Sequence, residues 1–126
     1  MKLLIALGTA ILSVAAITVA NAPSAAQSAP TAPPDFTACR ACHTVTKGQR
    51  SGLGPNLNGV AGRLAASLPD FKYSPALKKA ELRWDDKTLD EFLAAPAKKV
   101  PGTRMAIGMA DPGKRAAIIA YLKAQK

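Results

Sequence analysis

Residues 38–45 read ACRACHTV, and they hold both cysteines and the single histidine of the 126-residue chain. Cys39 and Cys42 stand three residues apart, and His43 follows the second directly. On a helix these positions are i, i+3 and i+4, so the three side chains share one face. Two thiols at this spacing serve a disulfide, half of a zinc site, a thioredoxin-like redox pair, or the covalent anchor of a haem.

The rest of the sequence weighs these four against each other. A structural zinc site takes about four protein ligands, and the chain offers three cysteines and histidines in total. A disulfide across i and i+3 closes a very small loop, stabilises little and leaves His43 without a role. A thioredoxin-like pair belongs beside a βαβ pattern, and the chain shows no strand alternation. Cys-x-x-Cys-His is the attachment motif of a c-type haem. There both thiols add to the haem vinyl groups as thioethers, and the adjacent imidazole reaches the iron. That chemistry needs all three groups on one face, so haem c, one per chain, is the expected cofactor.

The N-terminus points the same way. Lys2 supplies a positive start, Leu3 to Ala20 carries no charge, and small residues follow, the pattern of a secretory signal peptide. Ser24-Ala25-Ala26 places a cleavage site after residue 26. The alternative is an uncleaved inner-membrane anchor facing the periplasm, since a run of about 18 residues lies at the lower edge of a bilayer span. The expected organisation is a signal peptide at 1–26, a Pro/Ala-rich linker at 27–34 and one domain at 35–126.

Loss of Lys2 lowers the formal charge from +9 to +8. So basic a domain suits nucleic acid, acidic membrane surfaces or acidic proteins, and export argues against nucleic acid. The six aromatic residues are Phe36, Phe71, Tyr73, Trp84, Phe92 and Tyr121. With so few large apolar groups, a domain of this size needs a staple or a large cofactor.

Helix signals punctuate the domain. Asp35, after Pro33-Pro34, reads as the N-cap of a helix over Phe36 to about Thr46. Residues 47–72 carry seven glycines and prolines, too many breakers for a long element; so long a loop makes sense if it encloses something large. Ser74-Pro75 opens a second helix. Asp85 or Asp86 caps a third, with Leu89, Phe92 and Leu93 on its apolar face, and Pro96 ends it. A loop is expected from Ala97 to Ala110, and Asp111-Pro112 opens the last helix, which buries Ile118, Ile119, Tyr121 and Leu122. The class is all-α: about four short helices with long loops wrapped around one covalent haem.

With His43 the only histidine, the second axial ligand of the iron must come from elsewhere. Methionine usually fills gaps in a core, but Met105 follows Pro101-Gly102, a turn signal, on a stretch that cannot be regular helix. Met105 is the leading candidate and Met109 the alternative.

These pieces, in order CRACH (39–43), GPNLNGVAGR (54–63), KYSPAL (72–77), LRW (82–84), PAKKVPGTRM (96–105) and RAAIIAYLK (115–123), resemble the class I cytochromes c, and the resemblance spans roughly residues 35–125. It is nearest to the short bacterial periplasmic members. It implies the small cytochrome c fold and a one-haem electron carrier between respiratory or photosynthetic partners, a monomer with no catalytic residue. A haem enzyme or gas-binding haem protein with an open distal position is the rival. Carried over by position, the resemblance makes Cys39 and Cys42 the thioether links and His43 and Met105 the axial ligands. The Pro55 carbonyl would accept the second imidazole N–H. Arg63, Tyr73 and Trp84 would hold the haem propionates, with Thr103 near them, and Phe36 would meet Tyr121 and Leu122 between the first and last helices. Lys98 and Lys99 before the Met105 loop, Arg104 within it and Lys47 on the histidine side form the expected docking patch. Its partners would be acidic redox proteins such as membrane oxidase or reductase subunits. The membrane itself is a partner only if the N-terminal segment stays uncleaved.

Overall fold

In the computed structural model, residues 30–126 are described; the signal segment and the first part of the expected linker lie outside them. A 3-10 turn, Pro34–Phe36, runs into α1 (Thr37–Arg40). Then come α2 (Pro75–Lys79), α3 (Asp86–Ala94), α4 (Pro96–Lys99) and α5 (Pro112–Ala124). The only β feature among the described residues is an isolated bridge between Leu64 and Arg83.

Three helix starts obey local chemistry. The side chains of Ser74, Asp85 and Asp111 accept hydrogen bonds from the amides of Leu77, Thr88 and Lys114, at 3.1, 2.7 and 2.9 Å. Each satisfies an amide that the first helical turn leaves without a partner. The Thr88 amide holds the Asp85 carboxyl below its ordinary pKa. That stabilisation is therefore present above the ordinary carboxylate range and is lost as pH falls through the lowered folded value. Asp85→Ala should reduce the melting temperature at pH 7 by roughly 4–8 °C, the shift that loss of one cap brings to a domain of this size. Asp85→Asn should keep most of the capping while flattening the acid limb; melting curves between pH 7 and 3 check both.

The first helix departs from expectation. It stops at Arg40 rather than near Thr46, and the following loop bonds to the backbone where a longer helix would have run. The Gly54 amide bonds the Cys42 carbonyl at 2.8 Å, and the Leu57 amide bonds that of Thr44 at 2.8 Å. Asp35 is not a cap either. It lies inside the 3-10 turn, and its carboxylate reaches Lys114 of α5 at 2.9 Å. Within the expected loop 97–110, α4 forms one turn, begun by Pro96 at its first position.

α3 packs on α5 and supplies the core. Leu89 and Phe92 of α3 are buried with Ile118, Ile119, Tyr121 and Leu122 of α5; Leu93 is only partly buried. Trp84 stacks tilted on Phe92 with centroids 5.0 Å apart. The first turn does dock on the last helix: Phe36, 1% exposed, meets Tyr121 edge-on at 4.7 Å. Such a pair adds about 0.5–1.5 kcal/mol to the area it buries, and the Asp35–Lys114 bridge flanks it. Ala32, ahead of the turn, also packs on this core.

The long loop is stitched to the helical frame by its backbone. The amides of Gly59, Gly62 and Ala65 each bond at 2.7 Å, to the carbonyls of Gln125, Trp84 and Leu82. Asn56 is buried, and its amide nitrogen donates to the carbonyls of Thr46 and Gln49 at 2.9 and 2.6 Å. An irregular segment needs such partners, because a buried backbone group without one costs about as much as a lost hydrogen bond.

Candidate haem site

α1 and the turn after it deliver the motif. The amide of His43 bonds the carbonyl of Cys39 at 2.9 Å, as does that of Cys42 at 3.1 Å, so the helical course persists beyond the helix and keeps the three side chains on one side. Both thiols are free and partly buried. Burial raises the pKa of Cys39, against a smaller effect of the local backbone hydrogen bond. Among the described residues no three His, Cys, Asp or Glu side chains are placed to hold a bare metal ion.

His43 is fixed from two sides. Its Nδ1 lies 2.7 Å from the Pro55 carbonyl. Burial pushes the imidazole pKa down, while the Pro55 contact acts the other way. In a neutral ring Nδ1–H donates to that carbonyl, and the lone pair of Nε2 is left for a metal. Gly54 makes room for the ring, since a Cβ there would sit 2.5 Å from its Cε1. Gly54 is thus a site residue that motif reading alone passed over; its signal is the Gly-Pro step at the residue whose neighbour supplies the carbonyl.

The two methionines are held differently. Met105 is partly buried against the core, and its amide donates to the Thr103 hydroxyl at 3.3 Å. Gly102, with φ +90, turns the chain just before it. Met109 is also partly buried, but its backbone is clamped: its amide donates to the Leu93 carbonyl at 2.7 Å, and its own carbonyl accepts from Arg115 at 2.9 Å.

Among the expected pocket residues, Tyr73 and Trp84 are buried. Arg63 donates to the carbonyls of Asn58 and Asn56 at 3.0 and 2.9 Å. Burial lowers its pKa, with Tyr73 and Asp70 acting the other way. Of the expected docking residues, Lys47, Lys98 and Arg104 are exposed, and Arg104 also donates to the Lys72 carbonyl at 2.9 Å. Lys99 departs from the expected free cation: its ammonium sits 2.5 Å from a Glu91 oxygen, and that carboxylate compensates its charge.

No family model matches the chain. Individual relatives do. The chain is 47% identical over 93 residues to cytochrome c2 iso-2 of Magnetospirillum fulvum, covering 73% of this chain and 96% of that one. It is 47% identical over 88 residues to cytochrome c2 of Rhodoblastus acidophilus, covering 69% and 82%. The chain belongs to the class I c-type cytochromes. Among solved structures, cytochrome cH from Methylobacterium extorquens matches with a TM-score of 0.65 and 47% identity, over 70% of this chain and 89% of that one.

This cytochrome therefore carries one covalently bound haem c, and its free Cys39 and Cys42 fit the attachment. It is a single-haem electron carrier that works with redox partners and is not an enzyme. The donor set suits that group: two free thiols and an imidazole with its outer nitrogen available, with a partly buried thioether elsewhere on the same core. Among the described residues no helix is long and apolar enough to cross a membrane.

Proposed function

We propose that residues 1–26 direct export and are cleaved, and that the mature chain shuttles electrons as a monomer in the bacterial periplasm. In this reading Cys39 and Cys42 form the thioethers, and His43 Nε2 and Met105 Sδ are the axial ligands. Haem held there supplies an iron that takes up and returns one electron between Fe(II) and Fe(III). The observation that carries His43 as an iron ligand is the 2.7 Å approach of its Nδ1 to the Pro55 carbonyl. A ring held in one tautomer and orientation is the usual support of a metal-ligating histidine. Met105 is favoured over Met109 because it stands on the loop just after the Gly102 turn, where no regular helix dictates the course of its side chain. Pairing Met with His raises the potential of a haem.

Arg63, Tyr73 and Trp84 take the propionate side in this reading, with Thr103 close by. The desolvated Arg63 guanidinium, steadied by two carbonyls, suits a carboxylate. The intact mass of the exported protein tests attachment and cleavage together. A mass equal to residues 27–126 plus one haem is expected. A haem-free mass would overturn the attachment, and a full-length mass would make the protein an anchored one.

Acidic redox proteins, such as oxidase or reductase subunits in the membrane, are the proposed partners. The ion pairs support this. Asp35, Asp86 and Asp90 hold Lys114, Lys123 and Arg115 of α5, and Glu91 holds Lys99. Lys47, Lys98 and Arg104 make no ion pair among the described residues. The charge of this group is therefore left uncompensated by a neighbouring carboxylate. The formal +8 falls to about +6 once two ionised propionates are counted, so the field remains positive and speeds encounter with an acidic surface. The bimolecular rate with such a partner should fall steeply as salt passes roughly 0.1 M, where the Debye length is about 10 Å. Lys98→Glu should slow it several-fold at low salt with an unchanged spectrum, and Lys123→Glu should not. A rate indifferent to ionic strength, or equal slowing by both variants in stopped-flow measurements, would overturn the docking patch.

A further inference from the structure

Arg115 sits where an apolar residue would be expected. On α5 it precedes Ile118, Ile119 and Leu122 at i, i+3, i+4 and i+7, all buried, and its own side chain is 10% exposed. Burying a guanidinium is costly unless each donor finds a partner. Here Nε donates to Asp90 of α3 at 2.7 Å, while Nη1 donates to the carbonyls of Met109 and Ala110 at 2.9 and 2.7 Å. A salt bridge between two helices would need only the first bond. The other two reach the end of the segment that carries Met105.

That segment is anchored at two ends. Val100 and Thr103 amides bond the carbonyls of Pro96 and Val100 at its start. At its finish, Met109 donates to Leu93 at 2.7 Å, Arg115 holds the next two carbonyls, and Gly108 lies so close to α3 that a Cβ would come 3.0 Å from the Ala94 carbonyl. Met105 lies between these anchors.

We propose that Arg115 is a positioning residue for the axial thioether: with Asp90 it clamps the Met109–Ala110 carbonyls to the α3–α5 seam and so holds Met105 against its displacement from iron. The proposal rests on Met105 being the ligand. A lysine cannot reproduce the fork, because one compact ammonium cannot reach the carboxylate and both carbonyls as a rigid guanidinium does. Loss of the carbonyl bonds loosens the far anchor, where the Met109–Leu93 bond remains, and leaves the segment's first anchor intact.

The test uses the ferric holoprotein and exogenous imidazole, which competes with the thioether for iron. Arg115→Lys should bind imidazole about tenfold or more tightly than the wild type, the factor expected for losing a charge-assisted hydrogen bond. Asp90→Asn, which leaves the carbonyl bonds in place, should show a smaller rise and stands in if Arg115→Lys fails to fold. Lys123→Ala removes another α3–α5 bridge, to Asp86 at 2.6 Å, and should leave imidazole affinity unchanged. Unchanged affinity in both Arg115→Lys and Asp90→Asn, or an equal rise in Lys123→Ala, overturns the clamp. Met105→Ala separates the two readings. If it keeps the red charge-transfer band of thioether-ligated ferric haem, the ligand assignment fails; if it loses the band while the Arg115 and Asp90 variants bind imidazole as the wild type does, the clamp alone fails.

Discussion

Serine at both Cys39 and Cys42 should abolish haem attachment and, with it, the cooperative unfolding of the domain. The physical reason is the size of the core. The buried apolar set rests mainly on α3, α5, Phe36 and Trp84, with Val100 beside them and Val60 its one member from the long loop, and much of the chain from Ala41 to Ser74 is irregular backbone held by scattered hydrogen bonds. Such loops contribute little hydrophobic burial to offset the entropy of ordering them. A covalently held haem adds a large apolar plate and ties α1 to it. Without it, the net stability of an ordinary domain, about 5–15 kcal/mol, should be largely gone. Each single serine variant should keep one thioether and retain haem with reduced stability. Far-ultraviolet circular dichroism of the exported double variant during heating is the measurement; a sharp helical melting transition in the haem-free chain would refute the claim that haem organises this core.

Met105→Ala should keep the haem and lose the sixth ligand. The charge-transfer band of the ferric thioether complex should disappear. The reduction potential should drop by a substantial fraction of the ~0.8 V over which axial ligands tune haem iron, as water, hydroxide or an amine replaces sulfur. Met109→Ala should leave both observables nearly in place and act on stability, since it removes a partly buried side chain while the backbone clamps at Leu93 and Arg115 survive. The two variants give opposite patterns in optical spectra and potentiometry. If Met109→Ala loses the band and Met105→Ala does not, the distal ligand is the other methionine.

Much of this molecule could be read from local sequence because the deciding interactions span four residues or fewer. Ser74, Asp85 and Asp111 cap helices by bonding an amide three positions on, so a capping residue followed by a helix former suffices to place each start. The face of α5 follows from the 3.6-residue repeat, and the haem motif needs only the i, i+3, i+4 geometry of Cys39, Cys42 and His43. The Pro55 carbonyl and the propionate residues came with the family resemblance, since a partner 12 residues away has no local signature.

The tertiary structure decided what depends on competition between distant partners. Helix α1 ends at Arg40, and the loop amide of Gly54 takes the Cys42 carbonyl that a helix reaching Thr46 would have used. Asp35 could cap its own helix, yet its carboxylate goes to Lys114, 79 residues on. Lys99 could face solvent, yet it pairs with Glu91 across the bend at Pro96. Arg115 showed one signal in advance, a charge on an apolar helix register, but the sequence did not say which of eight acidic residues would meet it or which carbonyls would share it. Backbone hydrogen bonds within a turn are fixed by neighbours along the chain. The partners of long charged side chains are fixed by which elements the hydrophobic core brings together.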